Sequence, residues 1–158
     1  MLYVSATFVV FPFPRADVYR ELTDLSNLPA WNRNLVSVAP MEVMREGLRF
    51  RIASRLCGVV NTSTVAVERL VENEFIELSS KTGLISFRAL FNFVENSPKE
   101  TEVICTLRFE FKGFVFNAAR QVVESMAKMR CQRELLDLRT YIVNCMPKPR
   151  TMISSRKS

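Results

Sequence analysis

The chain has 158 residues, of which 48% are hydrophobic and 24% charged, a length and composition that predict one compact domain with a sizeable core. It contains no histidine, which excludes Ser-His and Cys-His nucleophile pairs, histidine-bearing metal sites and the usual acid–base group near neutral pH. The net charge is +6, but Lys148, Arg150, Arg156 and Lys157 stand in an acid-free stretch at the end, so the rest of the chain is close to balance.

The four glycines, Gly47, Gly58, Gly83 and Gly113, are far apart, so no glycine-rich loop can gather backbone amides around a phosphate. Cys57, Cys105, Cys131 and Cys145 contain no C-x-x-C pair. In a domain with an adequate core such scattered cysteines read as small apolar groups in a reducing compartment, not as a disulfide framework or a metal site. No metal and no cofactor are expected. The first residues, MLYVSATFVVFPFP, place their first cation, Arg15, after the apolar stretch, the wrong order for a secretory signal. No run reaches the roughly 18 apolar residues of a membrane span. These readings predict a soluble, cytoplasmic protein.

Residues 2–11 are rich in Val, Phe, Tyr and Thr and stop at Pro12-Phe13-Pro14, the pattern of a strand ended by proline. Pro14, Asp17 and the spacing of Val18, Leu22 and Leu25 predict a helix. Asp24 or Ser26 then reads as the cap of a second short helix containing Leu28 and Trp31. From residue 35 to about 112 the period becomes two, with turn signals at Glu46-Gly47, Gly58 to Asn61, Glu72-Asn73, Thr82-Gly83 and Asn96-Ser97-Pro98. This predicts about six strands. Phe87, Ala89, Phe91 and Phe93 alternate with Arg88, Leu90 and Asn92, and Val103 to Phe111 alternates in the same way. Phe50 and Ile52 alternate with Arg49, Arg51 and Arg55, so much of the positive charge falls on an outer sheet face.

About 27 residues from Asn117 to Val143 contain neither glycine nor proline, which predicts a helix roughly 40 Å long. On a wheel of about 100° per residue, Val115, Ala118, Ala119, Val122, Met126, Met129, Leu136 and Thr140 share one face, taken as the inner one. Leu135, Leu138 and Ile142 form a second apolar stripe opposite, fitting either contact with the short helices or a dimer surface. Both monomer and homodimer are therefore open. Residues 1–145 are expected to form the domain and residues 146–158 a flexible basic tail.

The order strand, two short helices, six strands and long helix resembles the START-like, or helix-grip, superfamily of the SRPBCC type, which includes polyketide cyclase/dehydrase, lipid-transport and birch-pollen-allergen proteins. The stretch PRADVYRELTDLSNLPAW, Pro14 to Trp31, is similar to the family's pattern after the first strand. LRFEFKGFVFNAARQVV, Leu107 to Val123, is similar to the last-strand-to-helix passage of its coenzyme-Q-binding and ribosome-associated-toxin branch. The approach to the third strand, VAPMEVMREGLRFRI, departs from the glycine-rich form common in the family, having only Gly47. The resemblance implies an α+β helix-grip fold: a seven-stranded curved antiparallel sheet wrapped around a long C-terminal helix, with a cavity for lipids, quinones, sterols or polyketides.

The residues expected at such a cavity are Trp31, Phe50, Phe87, Phe91, Phe93 and Phe109 from the strand side, with Val122, Met126, Met129 and Arg133 from the helix. Each aromatic also fits plain core packing, and Trp31 fits a staple between its short helix and the sheet. Arg133 stands within an apolar stripe, which suits contact with a ligand carboxylate, phosphate or quinone oxygen. The alternative is an ion pair with Asp137 at i+4. No catalytic group is assigned.

The leading expectation is a noncatalytic protein that binds or transports an apolar small molecule or lipid. The alternatives are a polyketide cyclase or aromatase and a ligand-free interaction module of the ribosome-associated toxin type. No aromatic-basic interleaving of the RNA-binding kind is present, so no specific nucleic-acid partner is expected. The basic tail is the element suited to peripheral contact with a membrane.

Overall fold

The computed structural model describes residues 2–56, 58–112 and 120–145. They form an α+β domain in the predicted order. Strand β1 (Tyr3–Phe11) is followed by helix α1 (Arg15–Thr23), a 3-10 turn (Leu25–Asn27) and the short helix α2 (Leu28–Trp31). Strands β2 (Leu35–Ala39), β3 (Arg49–Leu56), β4 (Val59–Val71), β5 (Phe75–Ser80), β6 (Ile85–Ser97) and β7 (Glu100–Phe111) come next, and helix α3 (Arg120–Cys145) follows. The sheet is antiparallel and seven-stranded, in the order β1-β7-β6-β5-β4-β3-β2. This is the helix-grip architecture.

The short helices form where the sequence supplies caps. Pro14 lacks the N–H that a helix start leaves unused, and its carbonyl accepts from Asp17 and Val18. The Asp24 carboxylate accepts from Ser26 N at 3.0 Å, closing the 3-10 turn. Strand periodicity then sorts the side chains. Odd-numbered residues of β1, from Tyr3 to Phe11, point inward with Thr101, Val103, Cys105, Leu107 and Phe109 of the adjacent β7. Phe93, Phe91, Ala89 and Phe87 continue the same inner surface on β6, opposite Val103, Cys105, Leu107 and Phe109. Phe50 and Val65 pair across β3 and β4 on that surface, and Arg49, Arg51 and Arg55 are exposed on the other, as the alternation predicts.

Turns fall near the sequence signals. Asn73 adopts a positive φ of 64° between β4 and β5. The predicted turn from Gly58 to Asn61 is shorter than expected, since β4 already begins at Val59. Gly83 is required twice over in the β5–β6 turn. Its φ is 80°, and a Cβ there would lie 2.8 Å from the Thr62 carbonyl oxygen and 2.9 Å from Asn61 Oδ1. That contact seats the β5–β6 turn directly against β4.

The long helix is present, but its inner face is not the expected one. Val122, Met126 and Met129 are 52, 54 and 65% exposed. Val123, Leu135, Leu138 and Ile142 are buried instead. The two stripes lie on roughly opposite sides of the helix, and the side chains supplied by the partner elements decide between them. Leu135, Leu138 and Ile142 pack with Val18 and Leu22 of α1, Trp31 of α2, and Val9, Phe11 and Val103 of the sheet. The stripe that fitted either a dimer surface or the short helices is thus the core of this domain. The predicted helix residues before Arg120 and the predicted tail, 146–158, lie outside the described residues.

Helix α3 also covers the free edge of β1. Glu124 Oε1 accepts from Val4 N at 3.2 Å near one end of the strand, and Arg139 donates to the Val10 carbonyl at 3.1 Å near the other. Backbone groups that a second chain could pair with are in this way occupied from within.

Candidate ligand site between sheet and long helix

The inner sheet surface is packed by three apolar clusters instead of one continuous core. The first joins α1, α2 and the C-terminal half of α3 to Val9, Phe11, Phe93, Val103 and Cys105. The second gathers Leu25, Val38, Leu48, Phe50, Val65 and Val67. The third is Tyr3, Phe109 and Val123, with Ile85, Phe87, Leu107, Phe111 and Ala127 against it. Only half-buried residues span the clusters: Leu28, Met44, Leu70 and Leu78 lie between the first and second, and Phe87 between the second and third. A filled interior normally forms a single contiguous cluster in a domain of this size.

Burial follows the same division along the strands. At the α1/α2 end the inner residues Phe11, Ile76, Val103 and Thr101 are sealed. Toward the β3–β4 and β5–β6 hairpins, Ile52, Ile85, Phe87, Leu107 and Phe111 remain half-buried although they occupy the inner rows. Tyr3 stacks on Phe109 with ring centroids 5.2 Å apart, and Phe111 meets both rings edge-on at 5.9 Å. The Arg120 guanidinium lies 5.7 Å from the Tyr3 ring centroid, over its face.

Among the described residues three side-chain polar atoms are buried without a partner: Ser5 Oγ, Thr7 Oγ1 and Trp31 Nε1. Ser5 and Thr7 belong to the inner row of β1, and Thr7 stands opposite Cys105. Helix α3 adds Cys131 there. A hydrogen bond with Cys131 and then burial push the Cys105 thiol well above its ordinary pKa, so the Cys105 sulfur stays protonated. Further along, burial raises the Glu134 carboxyl despite the opposing pull of Arg130, 3.4 Å away, and a hydrogen bond from Asn34.

The expected site residues separate into groups. Trp31, Phe50, Phe93 and Phe109 are buried, and Phe87 and Phe91 are half-buried on the inner surface. Trp31 belongs to the same cluster as Val18, Leu22 and Leu138. Val122, Met126, Met129 and Arg133 lie on the outer side of α3. The expected Arg133–Asp137 pair is not formed: Asp137 takes Arg33 instead, at 3.1 Å. Asp137 is directed at Arg33 in the loop after α2, and Arg133 has no ion pair among the described residues. Arg133 instead lines an open cleft of about 460 Å³ with Arg33, Met129, Gln132, Leu136 and Asp137. A smaller cleft of about 280 Å³ runs between α3 and β1, past Ser5, Gln121, Glu124 and Lys128. Sequence reasoning did not single out Ser5 and Thr7. Their signal was present as two hydroxyl residues on the inward parity of an apolar strand.

Among the described residues no group of Cys, Asp or Glu is placed to hold a metal, and no helix is long and apolar enough to cross a membrane. A curved antiparallel sheet closed by one long helix, with an apolar inner surface half-buried toward the hairpins, is the helix-grip class of α+β domain. The chain belongs to the polyketide cyclase / dehydrase and lipid transport family, whose model matches residues 1–143.

Solved structures share the fold at low identity. A START superfamily protein from Mycobacterium smegmatis is similar with a TM-score of 0.78 at 15% identity, over 91% of this chain and 99% of that one. TTHA0849 from Thermus thermophilus also has a TM-score of 0.78, at 22% identity over 91% and 99% of the two chains. The Zhui aromatase/cyclase from Streptomyces sp. R1128 has a TM-score of 0.75 at 14% identity, covering 91% and 95%. No curated protein sequence matches the chain.

Proposed function

We propose that the protein binds or carries an apolar small molecule of the lipid, quinone, sterol or polyketide class between the inner sheet surface and α3, without transforming it. The observation that carries this reading is the row of half-buried inner residues, Ile52, Phe87, Leu107 and Phe111, beside three clusters that do not merge. Removing ligand surface from water there would supply the driving force, about 25 cal/mol for each Å² of apolar area buried. The absence of histidine from the sequence is consistent with binding rather than acid–base chemistry.

A cyclase reading is favoured by one observation, the buried and unpartnered hydroxyls of Ser5 and Thr7. Both can donate to a ligand carbonyl and so orient a folded chain beneath α3. In the binding reading the same hydroxyls simply select a ligand with an oxygen at one end.

Native mass spectrometry of the protein purified from its own host tests the proposal. The expected result is a mass above that of the chain, lost after extraction with organic solvent. A bare-chain mass, together with no enhancement of an apolar fluorescent probe, would overturn it. Turnover of an added polyketide chain that fails in Ser5→Ala/Thr7→Val would favour the cyclase.

A further inference from the structure

We propose that the hairpin end of the molecule is a docking surface for anionic phospholipid bilayers. Three segments converge there. Leu56 pairs with Val59 at the β3–β4 turn, Ile85 pairs with Phe111 after the β5–β6 turn, and β1 begins beside Phe109. The turns are fastened together: Leu84 N donates to Asn61 Oδ1 at 2.9 Å, and Lys112 N donates to the Leu84 carbonyl at 2.9 Å. Gly83, pressed against β4, holds this arrangement close.

The side chains at this end are the wrong ones for a purely aqueous surface. Val59, Val60 and Leu84 are 56, 53 and 47% exposed on adjoining turns. Apolar residues scattered singly need no explanation, but three on hairpins fastened to each other form a protruding apolar edge. Cations flank it. Arg55 pairs with Val60 across the β3–β4 hairpin, Lys81 opens the neighbouring turn and Lys112 directly follows β7. All three are exposed, and none makes an ion pair among the described residues.

The far end of the same strands has the opposite character. Asp17, Glu21, Glu72, Glu74, Glu95 and Glu100 stand on α1 and at the β4–β5 and β6–β7 ends. They outnumber Arg15, Arg20 and Lys99 there, although Arg20 pairs with Asp17 and Glu21 and Arg15 with Glu74. Met41 and Val43 are as exposed there as the hairpin residues, but they flank Glu42 and lie near Glu46. Apolar exposure alone therefore does not distinguish the two ends. The sign of the charge does, and a negatively charged lipid surface attracts one end while it repels the other. The half-buried inner residues also lie toward the hairpin end, so docking would present the mouth of the proposed ligand site to the bilayer. The surface geometry stands apart from the ligand reading, on which only this purpose rests.

The test is co-sedimentation of the full chain with phosphatidylcholine vesicles, with and without phosphatidylserine, at low and high salt. Binding is expected only with phosphatidylserine and is expected to fall as salt rises. Lys81→Glu/Lys112→Glu should weaken it by at least about tenfold, given roughly 1 kcal/mol for each cation at an anionic surface. Val60→Asp/Leu84→Asp should abolish it, whereas Met41→Asp at the acidic end should leave it intact. A full-length variant with Lys148, Arg150, Arg156 and Lys157 changed to Ser should retain most binding. The proposal is overturned by absence of pelleting, by indifference to both hairpin variants, or by loss in the tail variant alone. Native mass spectrometry of the same preparations separates the two hypotheses. Vesicle binding with neither a retained ligand nor enhancement of an apolar fluorescent probe removes the ligand reading, and a retained ligand without vesicle binding removes the docking surface.

Discussion

The two ends of the sheet carry the same alternation and the same kinds of apolar residue, yet α3 closes over them differently. At the α1/α2 end, Leu135, Leu138 and Ile142 meet two short helices and the strands at once, and Phe11, Val18 and Val103 are sealed. At the hairpin end, Val123 is the one buried residue in the first turns of α3, and its neighbours Ile85, Phe87 and Leu107 stay half-buried. The difference shows that inward pointing is a property of strand parity, whereas burial requires a second layer. One end is sealed by that layer, and the other leaves inner surface half-buried, where the proposed ligand would sit.

The largest effect should come from the sealed end. Leu138 is fully buried, so Leu138→Ala should remove about 3 kcal/mol of stability through lost burial and a residual cavity. Phe87→Ala, a larger deletion at the open end, should cost less, about 1–2 kcal/mol, because its environment is already part solvent. Urea unfolding of both variants checks the order, and a reversed order would show that the hairpin end is the true core.

Thr101 tests the seal where β1 leaves the sheet. Its hydroxyl donates to the Phe13 carbonyl at 2.8 Å, and the residue is fully buried. Thr101→Val keeps the shape but leaves that carbonyl unpaired, for an expected loss of about 1–2 kcal/mol. The corresponding hydroxyls at Ser5 and Thr7 have no partner to lose among the described residues. Thr7→Val should therefore be neutral or stabilising in the ligand-free protein, a contrast that the same unfolding measurement resolves.

Much of this was legible in the chain. Period-two alternation located every strand from β2 to β7, and Pro14, Asp24 and Trp31 marked the short helices, because turn chemistry and parity are local. The inner face of α3 was not legible. Val122, Met126 and Met129 form as good an apolar stripe as Leu135, Leu138 and Ile142, and only the position of α1 and α2 against the second stripe decides which is buried. Arg133 misled for the same reason, since its partner residue, Asp137, projects toward Arg33, a residue remote in sequence. Ser5 and Thr7 were hidden by their ordinary strand propensity, and their missing partners appear only in three dimensions.

Glu134 gives a pH-dependent comparison along α3. Burial raises its carboxyl above the ordinary carboxylate value, so the folded state holds this proton more tightly than the unfolded state. Stability contributed by this group is therefore greatest below its unfolded pKa and falls as pH rises, with the full penalty above its raised folded value. Unfolding midpoints of the natural protein and Glu134→Gln, measured across that interval, should diverge in the direction of a natural protein weakened by rising pH. Parallel curves would show that Arg130 and Asn34 compensate the burial completely.

The smallest effect is expected on the outer side of α3, where Met129 is 65% exposed and Met126 54%. Met129→Gln keeps a long unbranched side chain with good helix propensity and buries nothing new, so stability should change by no more than about 0.5 kcal/mol. Ligand retention should be equally unaffected, because the residue faces away from the inner sheet surface, whereas Phe87→Ala should reduce retention. If Met129→Gln released the co-purified ligand and Phe87→Ala did not, the ligand would belong to the cleft beside Arg133, and the division between a sealed and an open sheet end would lose its functional meaning.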